Sequence, residues 1–222
     1  MNNVYGKSIQ SKVKRYYKWY GFRKGVALAL QRVLTKLLLP LIDYHKMFVF
    51  RKNLQDNKKC ITQNRTIEMN YLNDSNMKSF KEVVKKYSWH DTVSFIEPRL
   101  QDKENCVLAN FTGHICAFLW VATGRRTVSY RSKKFLIKDS EVFIRDLLTV
   151  PVYRGRGIIT TMIGNVSESL REKGCKYMIG FVSSDNYSSI KAFQKNGFKI
   201  YQVARFVNSP FLRNELSFIK TI

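Results

Sequence analysis

One stretch constrains this chain more than any other: Val150-Pro151-Val152-Tyr153-Arg154-Gly155-Arg156-Gly157-Ile158-Ile159-Thr160-Thr161-Met162. A short apolar strand, Leu147 to Val150, runs into a tight arginine–glycine turn, and the turn opens directly into a helix. Ile158, Ile159, Met162, Ile163, Val166 and Leu170 recur at helical spacing, and Glu172-Lys173-Gly174 supplies the stop. Two glycines let the backbone take conformations closed to other residues and come close to a ligand. A helix start presents N–H groups without intrahelical acceptors and a partial positive charge, to which Arg154 and Arg156 add full charge. Such a turn suits a phosphate or pyrophosphate.

The rest of the chain must support that turn. With 222 residues, 45% of them hydrophobic, it has enough material for one core plus an extension. The formal net charge of +23 points to an anionic partner: nucleic acid, a membrane surface or a phosphorylated ligand. That charge is uneven. Residues 1–42 carry nine Lys and Arg, and the first carboxylate is Asp43. Tyr16, Tyr17, Trp19, Tyr20 and Phe22 interleave with these cations, and residues 25–42 read as an amphipathic helix that Pro40 ends or kinks. A basic, aromatic lead ahead of a one-sided apolar helix fits an in-plane anchor on an anionic membrane. The same apolar face equally fits packing on the domain or on a second copy; nucleic-acid binding rests on charge and aromatics alone. Gln31, Arg32, Thr35 and Lys36 interrupt the apolar run, so it falls short of the roughly 20 apolar residues of a membrane span. The expected location is cytoplasmic, peripheral on the inner membrane face if the lead is an anchor.

Cys60, Cys106, Cys116 and Cys175 are scattered with no C-x-x-C, and His45, His90 and His114 have no H-x-x-x-H spacing. That pattern predicts reduced, buried thiols, with neither a zinc site nor a disulfide framework.

In chain order, residues 43–59 read as a polar connector, with a boundary at Asn57-Lys58-Lys59. A strand over Ile61 to Leu72 follows, then a helix from Met77 to Tyr87 with Asn73-Asp74-Ser75 as its cap region, and a short helix through Ser94 to Leu100. Val107 to Phe111 and His114 to Val121, joined by Thr112-Gly113, read as a hairpin; Thr127 to Lys138 is a basic alternating arm. Glu141 to Val150 leads to the turn. Beyond the helix of 158–173 come a strand (Tyr177 to Val182), a helix (Ser188 to Asn196, closed by Asn196-Gly197) and strands over Phe198 to Val207 and Leu216 to Ile222. This order predicts an α+β (mixed α/β) domain over 60–222, preceded by a basic helical extension and connector over 1–59.

The ordered set Arg154-Gly155-Arg156-Gly157, helix, strand, Asn186, and Phe193-Gln194-Lys195-Asn196-Gly197-Phe198 resembles the GNAT superfamily of acyl-CoA N-acyltransferases. That family's turn reads Arg/Gln-x-x-Gly-x-Gly/Ala, and its later signature Asn, a helix, then Tyr-x-x-x-Gly-Phe. The resemblance implies a twisted, mostly antiparallel central sheet flanked by helices, with acetyl-CoA or another acyl-CoA as co-substrate and no metal. It implies that the backbone of Leu148, Thr149 and Val150 pairs with the pantetheine arm and polarises the carbonyl. Amides from Arg154, Gly155, Arg156, Gly157, Ile158, Ile159 and Thr160 would bind the pyrophosphate; Asn186 would contact the arm and Phe193 pack against it. Two positions depart from the pattern. Ile159 stands at the turn's last Gly/Ala, where it either crowds the pyrophosphate or points into the helix core. Phe193 stands where many members carry the tyrosine that protonates the leaving thiolate, with Tyr187 and Tyr201 nearby in sequence. Walker and Rossmann readings fail, because no lysine follows Gly157 and Thr160 replaces a third glycine.

Asp146 is the first candidate base, at a position where the family places an acid facing the acceptor amine; Glu141 is the second. Structural roles compete: Asp146 as a buried salt bridge or a cap, with Arg145 or a neighbouring lysine as partner, Glu141 as a solvated strand end, His114 as a residue packed in the sheet. His90, beside Trp89, would border the acceptor. The basic run Arg125, Arg126, Arg131, Lys133, Lys134 and Lys138 is either a solvated hairpin or an anion-attracting face. The expected activity is acyl transfer from acyl-CoA to a small primary amine, with an amino-sugar intermediate of surface-polysaccharide synthesis as the suggested acceptor. An alternative donor is an acyl carrier protein. An alternative function is a non-catalytic module of this fold that binds anionic membrane or nucleic acid.

Overall fold

Apolar runs broken by turns become ten strands and four helices in the computed structural model, which describes residues 43–56, 67–87, 93–208 and 214–222. The basic lead and its helix (1–42), the connector end Asn57-Lys58-Lys59, Cys60, and Trp89 with His90 lie outside the described residues. In order come β1 (Asp43–Asn53), β2 (Glu68–Tyr71), α1 (Asp74–Tyr87), α2 (Ile96–Gln101), β3 (Asn105–Phe111) and β4 (His114–Ala122). Then follow β5 (Arg126–Tyr130), β6 (Lys133–Ile137), β7 (Glu141–Thr149), a 3-10 turn (Pro151–Tyr153) and α3 (Ile158–Glu172). The chain ends with β8 (Tyr177–Ser183), α4 (Tyr187–Lys195), β9 (Lys199–Asn208) and β10 (Leu216–Thr221). It divides into two compact units, Met1–Tyr44 with Val207–Glu215, and His45–Phe206 with Leu216–Ile222. The first lies mostly outside the described residues; the second carries the features below.

Eight strands form one sheet in the order β10-β9-β1-β8-β7-β4-β3-β2, and β5–β6 form a separate hairpin. The β1–β8, β2–β3, β3–β4 and β4–β7 pairs are antiparallel, while β7–β8 is parallel and joined by the α3 crossover. The β3–β4 hairpin turns on Thr112 and Gly113, both at positive φ.

The connector reading of 43–59 is corrected by β1, which pairs with β8 from Met47↔Ser183 to Asn53↔Tyr177. Met47, Val49 and Phe50 are buried in it. The flanking charges of Asp43-Tyr44-His45-Lys46 and Arg51-Lys52 disguise a core strand only four apolar residues long, and its partner lies about 130 residues away.

Each face of the sheet has its own cover. On one face α3 and α4 bury Ile158, Met162, Ile163, Val166 and Phe193 against Phe50, Ala117, Leu119, Val142 and Ile144. On the other, the β5–β6 hairpin places Val128, Phe135 and Ile137 on Phe143 and Ile179. Beside it, α1 and α2 place Phe80, Val84 and Ile96 on Phe118, Trp120, Leu148 and Val150. Each such apolar side chain, fully buried, contributes roughly 1.5–3 kcal/mol before conformational entropy is subtracted.

β7 supplies residues to both faces in a way simple alternation forbids. Val142 and Ile144 join the α3/α4 core, whereas Leu148 and Val150, of the same parity, join the α1/α2 core. A bulge explains the switch. Trp120 pairs with Arg145 but Phe118 pairs with Leu148, so Asp146 and Leu147 together face Leu119, and Asp146 has φ +51°.

Cys106 and Cys116 are buried, and burial pushes both thiols above their ordinary value of 9.0. Neither is expected to alkylate in the native protein at pH 8, whereas both react in denaturant; peptide mass spectrometry after iodoacetamide treatment checks this. The folded state keeps these thiols protonated while the unfolded chain ionises, so this contribution to stability falls as pH rises above about 9.

Candidate functional site

The arginine–glycine turn begins where β7 ends. Tyr153 N–H donates to Val150 C=O at 2.9 Å and Arg154 N–H to Pro151 C=O at 3.2 Å, closing the 3-10 turn. Gly155 and Gly157 then take φ +80° and +73°, which only glycine adopts without strain. A Cβ at either would meet nothing within 4 Å, so the protein leaves the space over both open. Gly157 is the N-cap of α3, no side chain caps the helix, and its first intrahelical bond is Thr161 N–H to Gly157 C=O at 3.0 Å. The N–H groups of Ile158 and Ile159 therefore point out of the helix start.

Both arginines are exposed and held beside this start. Arg154 Nε donates to Thr149 C=O at 3.3 Å. The Arg156 guanidinium lies 5.6 Å from the centroid of Phe111 and 5.8 Å from that of Tyr153. Ile158 is buried and Ile159 packs against the same core, so the departure at 159 points inward rather than over the turn. Thr160 Oγ1 accepts a 3.4 Å hydrogen bond from Asn196 Nδ2, tying α3 to the end of α4.

Beside the turn, two strands part. The β7–β8 ladder runs from Glu141↔Tyr177 to Ile144↔Gly180 and stops, although both strands continue. β7 stays on β4 to Thr149 and β8 stays on β1 to Ser183. Their facing edges are thus open beyond Gly180. Val150 N–H donates to Cys116 C=O at 2.9 Å, and alternation of the ladder likewise turns the backbone of Leu148 to Phe118. Of Leu148, Thr149 and Val150, it is Thr149 whose backbone faces the open edge.

Phe193 fills the space below the fork. A Cβ on Gly180 would lie 2.4 Å from Phe193 Cε1 and 2.7 Å from its Cζ, with Ile144 Cγ1 at 3.4 Å. The Phe193 ring is 3% exposed and packs on Phe50 and Phe198, at centroid distances of 5.3 and 4.7 Å. Asn186, at the C-terminal mouth of β8, caps α4: its Oδ1 accepts from Ser189 N–H at 3.2 Å and Ser188 Oγ at 2.9 Å. Tyr187 is exposed next to it, while the half-buried Tyr201 lies under the Arg51 guanidinium, against the core on the hairpin side of the sheet.

The two candidate carboxylates are far apart. Asp146 lies three residues before Thr149 and forms an ion pair with Arg99 of α2; the two side chains are 11% and 9% exposed. The partner shown is thus a cation from another element, while the neighbouring Arg145 pairs with the buried Glu104 at 2.5 and 3.1 Å. Burial pulls the Arg99 guanidinium below its ordinary value, and the Asp146 carboxylate opposes this. Glu141 starts β7, about 26 Å of strand away from Thr149. It is buried rather than solvated: Oε2 accepts from Lys138 N–H at 3.0 Å, and Arg51 Nη2 lies 3.8 Å from Oε1. His114 begins β4 but is exposed at the hairpin end, because the open turn beside it covers nothing.

Arg99 and Glu104 are missing from the sequence-level candidates. A carboxylate inside the apolar strand Ile144 to Leu148 signals that a cation must meet it; nothing local says which. Among the described residues, no group of three or more His, Cys, Asp or Glu is placed to hold a metal ion. No helix among them is long and apolar enough to cross a membrane.

The fold recurs in solved structures. A GCN5-related N-acetyltransferase from Sphaerobacter thermophilus superposes with a TM-score of 0.55 at 11% identity, covering 88% of this chain and 58% of that one. The glucosamine N-acetyltransferase region of a fungal multi-domain β-N-acetylglucosaminidase gives 0.56 at 15% identity, with 80% of this chain covered but only 22% of that one. A conserved Staphylococcus epidermidis protein of unknown function gives 0.54 at 9% identity, covering 81% and 67%. This chain therefore spans well under two thirds of the first two proteins. No match was found among curated proteins. The sequence model of one family matches residues 69–198, more than half of the chain, from β2 through the turn to Phe198. This chain belongs to the acetyltransferase (GNAT) family.

Proposed function

We propose that the protein transfers an acetyl or other short acyl group from acyl-CoA to a primary amine. One observation carries this reading: an uncapped helix start, flanked by two positive-φ glycines and two arginines, stands at the mouth of two parted parallel strands. The residues fit the donor. The turn from Arg154 to Thr160 would take the pyrophosphate, in the space the two glycines leave. The Thr149 N–H would pair with the pantetheine arm along the open β7 edge, its carbonyl accepting from Arg154 Nε, with Asn186 on the opposite lip and Phe193 as the floor.

The bound thioester supplies an activated acyl carbon with a thiolate leaving group. The chain's backbone N–H groups would donate to the carbonyl oxygen on that carbon, and its residues keep the amine in reach and take up its proton. Asp146, directly or through water, is the proposed acceptor of the proton, with Arg99 keeping the carboxylate in place. Glu141 is set aside by its distance. Phe193 has no hydroxyl, and a CoA thiolate is basic too weakly to need one. The charge of +23 favours an acceptor amine that carries an anionic group, such as an amino sugar on a nucleotide or lipid phosphate.

Acetyl-CoA is expected to slow amide hydrogen exchange across 150–160 and to bind with 1:1 stoichiometry in calorimetry. A screen of amines for CoA-thiol release then identifies the acceptor. No protection of that segment at saturating acetyl-CoA would sink the reading.

The buried Phe193 and the net charge favour a second reading, a non-catalytic module of this fold on an anionic membrane or nucleic acid. It predicts salt-sensitive binding to acidic-lipid vesicles or nucleic acid, with no CoA release for any amine.

A further inference from the structure

Asp146 holds an unusual place. It is a non-glycine residue at φ +51° in the bulge of a central strand, where a left-handed L-residue costs about 1–2 kcal/mol and persists only if its surroundings impose it. The bulge has a consequence three residues on: it turns Leu148 and Val150 into the α1/α2 core and the Thr149 backbone to the open edge facing β8. Arg99 reaches up from α2 to bind the Asp146 carboxylate. Its guanidinium is pinned over Phe95 at 4.5 Å and Trp120 at 5.1 Å from their centroids. Trp120 is the residue before the bulge on the facing strand, paired with Arg145. Among the described residues, Arg145 is engaged on Glu104, and Arg126 on the Thr123 and Asp102 carbonyls, 3.8 Å from Glu104.

We infer that Arg99 is a positioning residue for the acyl donor: by holding the Asp146 carboxylate it locks the bulge and so sets which backbone groups of β7 meet the donor's arm. This rests on the acyl-CoA reading above. Arg99 touches neither donor nor acceptor; it acts through Asp146. The pair is separate from the phosphate turn, which lies on the far side of Thr149.

The two parts can be probed separately by calorimetry. ADP carries the pyrophosphate without the arm, whereas acetyl-CoA carries both. Removing Arg99 alone would strand a buried carboxylate and endanger folding, so two gentler variants are used. R99K keeps the charge but loses the planar fork that fits a carboxylate and stacks on rings. The double variant R99M/D146N removes both charges, a change that buried pairs often tolerate, and keeps at 146 a side chain suited to the left-handed region. Both variants are expected to melt cooperatively and to bind ADP within about twofold of wild type. Acetyl-CoA is expected to bind about three- to tenfold more weakly in R99K and at least about tenfold more weakly in the double variant. Acetyl-CoA affinity unchanged in both variants overturns the inference, as does a parallel loss of both ligands, which marks a general packing role. Wild-type protein that binds neither ligand overturns the acyl-CoA reading, and the inference with it; that result appears before any variant is made.

Discussion

Gly157→Val is expected to weaken acetyl-CoA binding by about ten- to a hundredfold in calorimetry. Two effects combine. Gly157 sits at φ +73°, where an L-residue costs about 1–2 kcal/mol and a β-branched one more, so the turn is driven toward another conformation. A Cβ at 157 would meet no protein atom within 4 Å, so the new side chain enters the open space that the proposed donor would occupy. There its methyl groups would oppose a pyrophosphate directly. The cost to folding is a drop in Tm of about 2–8 °C for a chain of this size. A variant that melts normally and still binds acetyl-CoA with wild-type affinity would show that the donor lies elsewhere.

Gly180→Val is expected to be the most destabilising single change at the fork, by about 3 kcal/mol in denaturant unfolding. A carbon at 2.4 Å from Phe193 Cε1 is far inside the 3.5–4.0 Å optimum for carbon contacts. The obstacle is a ring wedged between Phe50 and Phe198 rather than a mobile chain end. Phe193→Leu vacates part of that space. In the double variant the two losses should therefore be less than additive by about 1 kcal/mol or more. Strict additivity would mean that Phe193 does not set the gap below Gly180.

These two glycines differ in how far the sequence reveals them. Gly157 lies between an apolar strand and a helical repeat, so its role follows from neighbours within a few residues. Gly180 looks like an ordinary small residue in an apolar strand; its function appears only when α4 brings a phenylalanine thirteen residues later onto it. The two candidate carboxylates divide in the same way. Both lie on the strand that leads to the turn, and only the family resemblance ranks Asp146 ahead of Glu141. The strand's length carries Glu141 away to the far end, where Arg51 and the Lys138 amide bind it. A one-residue bulge keeps Asp146 beside the site, and α2 supplies its cation.

The sequence by itself determined what local forces decide: most strands and helices, the hairpin at Thr112-Gly113, the arginine–glycine turn and its anion-seeking helix start. Backbone dihedrals, capping and periodicity act over a few residues, so a few residues suffice to read them. The tertiary structure decided the rest. It set β1 next to β8, opened the fork between β7 and β8, switched the faces of β7 at Asp146 and joined Arg99 to it across 47 positions. Those outcomes depend on which distant surfaces become neighbours when burial is shared among three cores, and chain order does not record that choice.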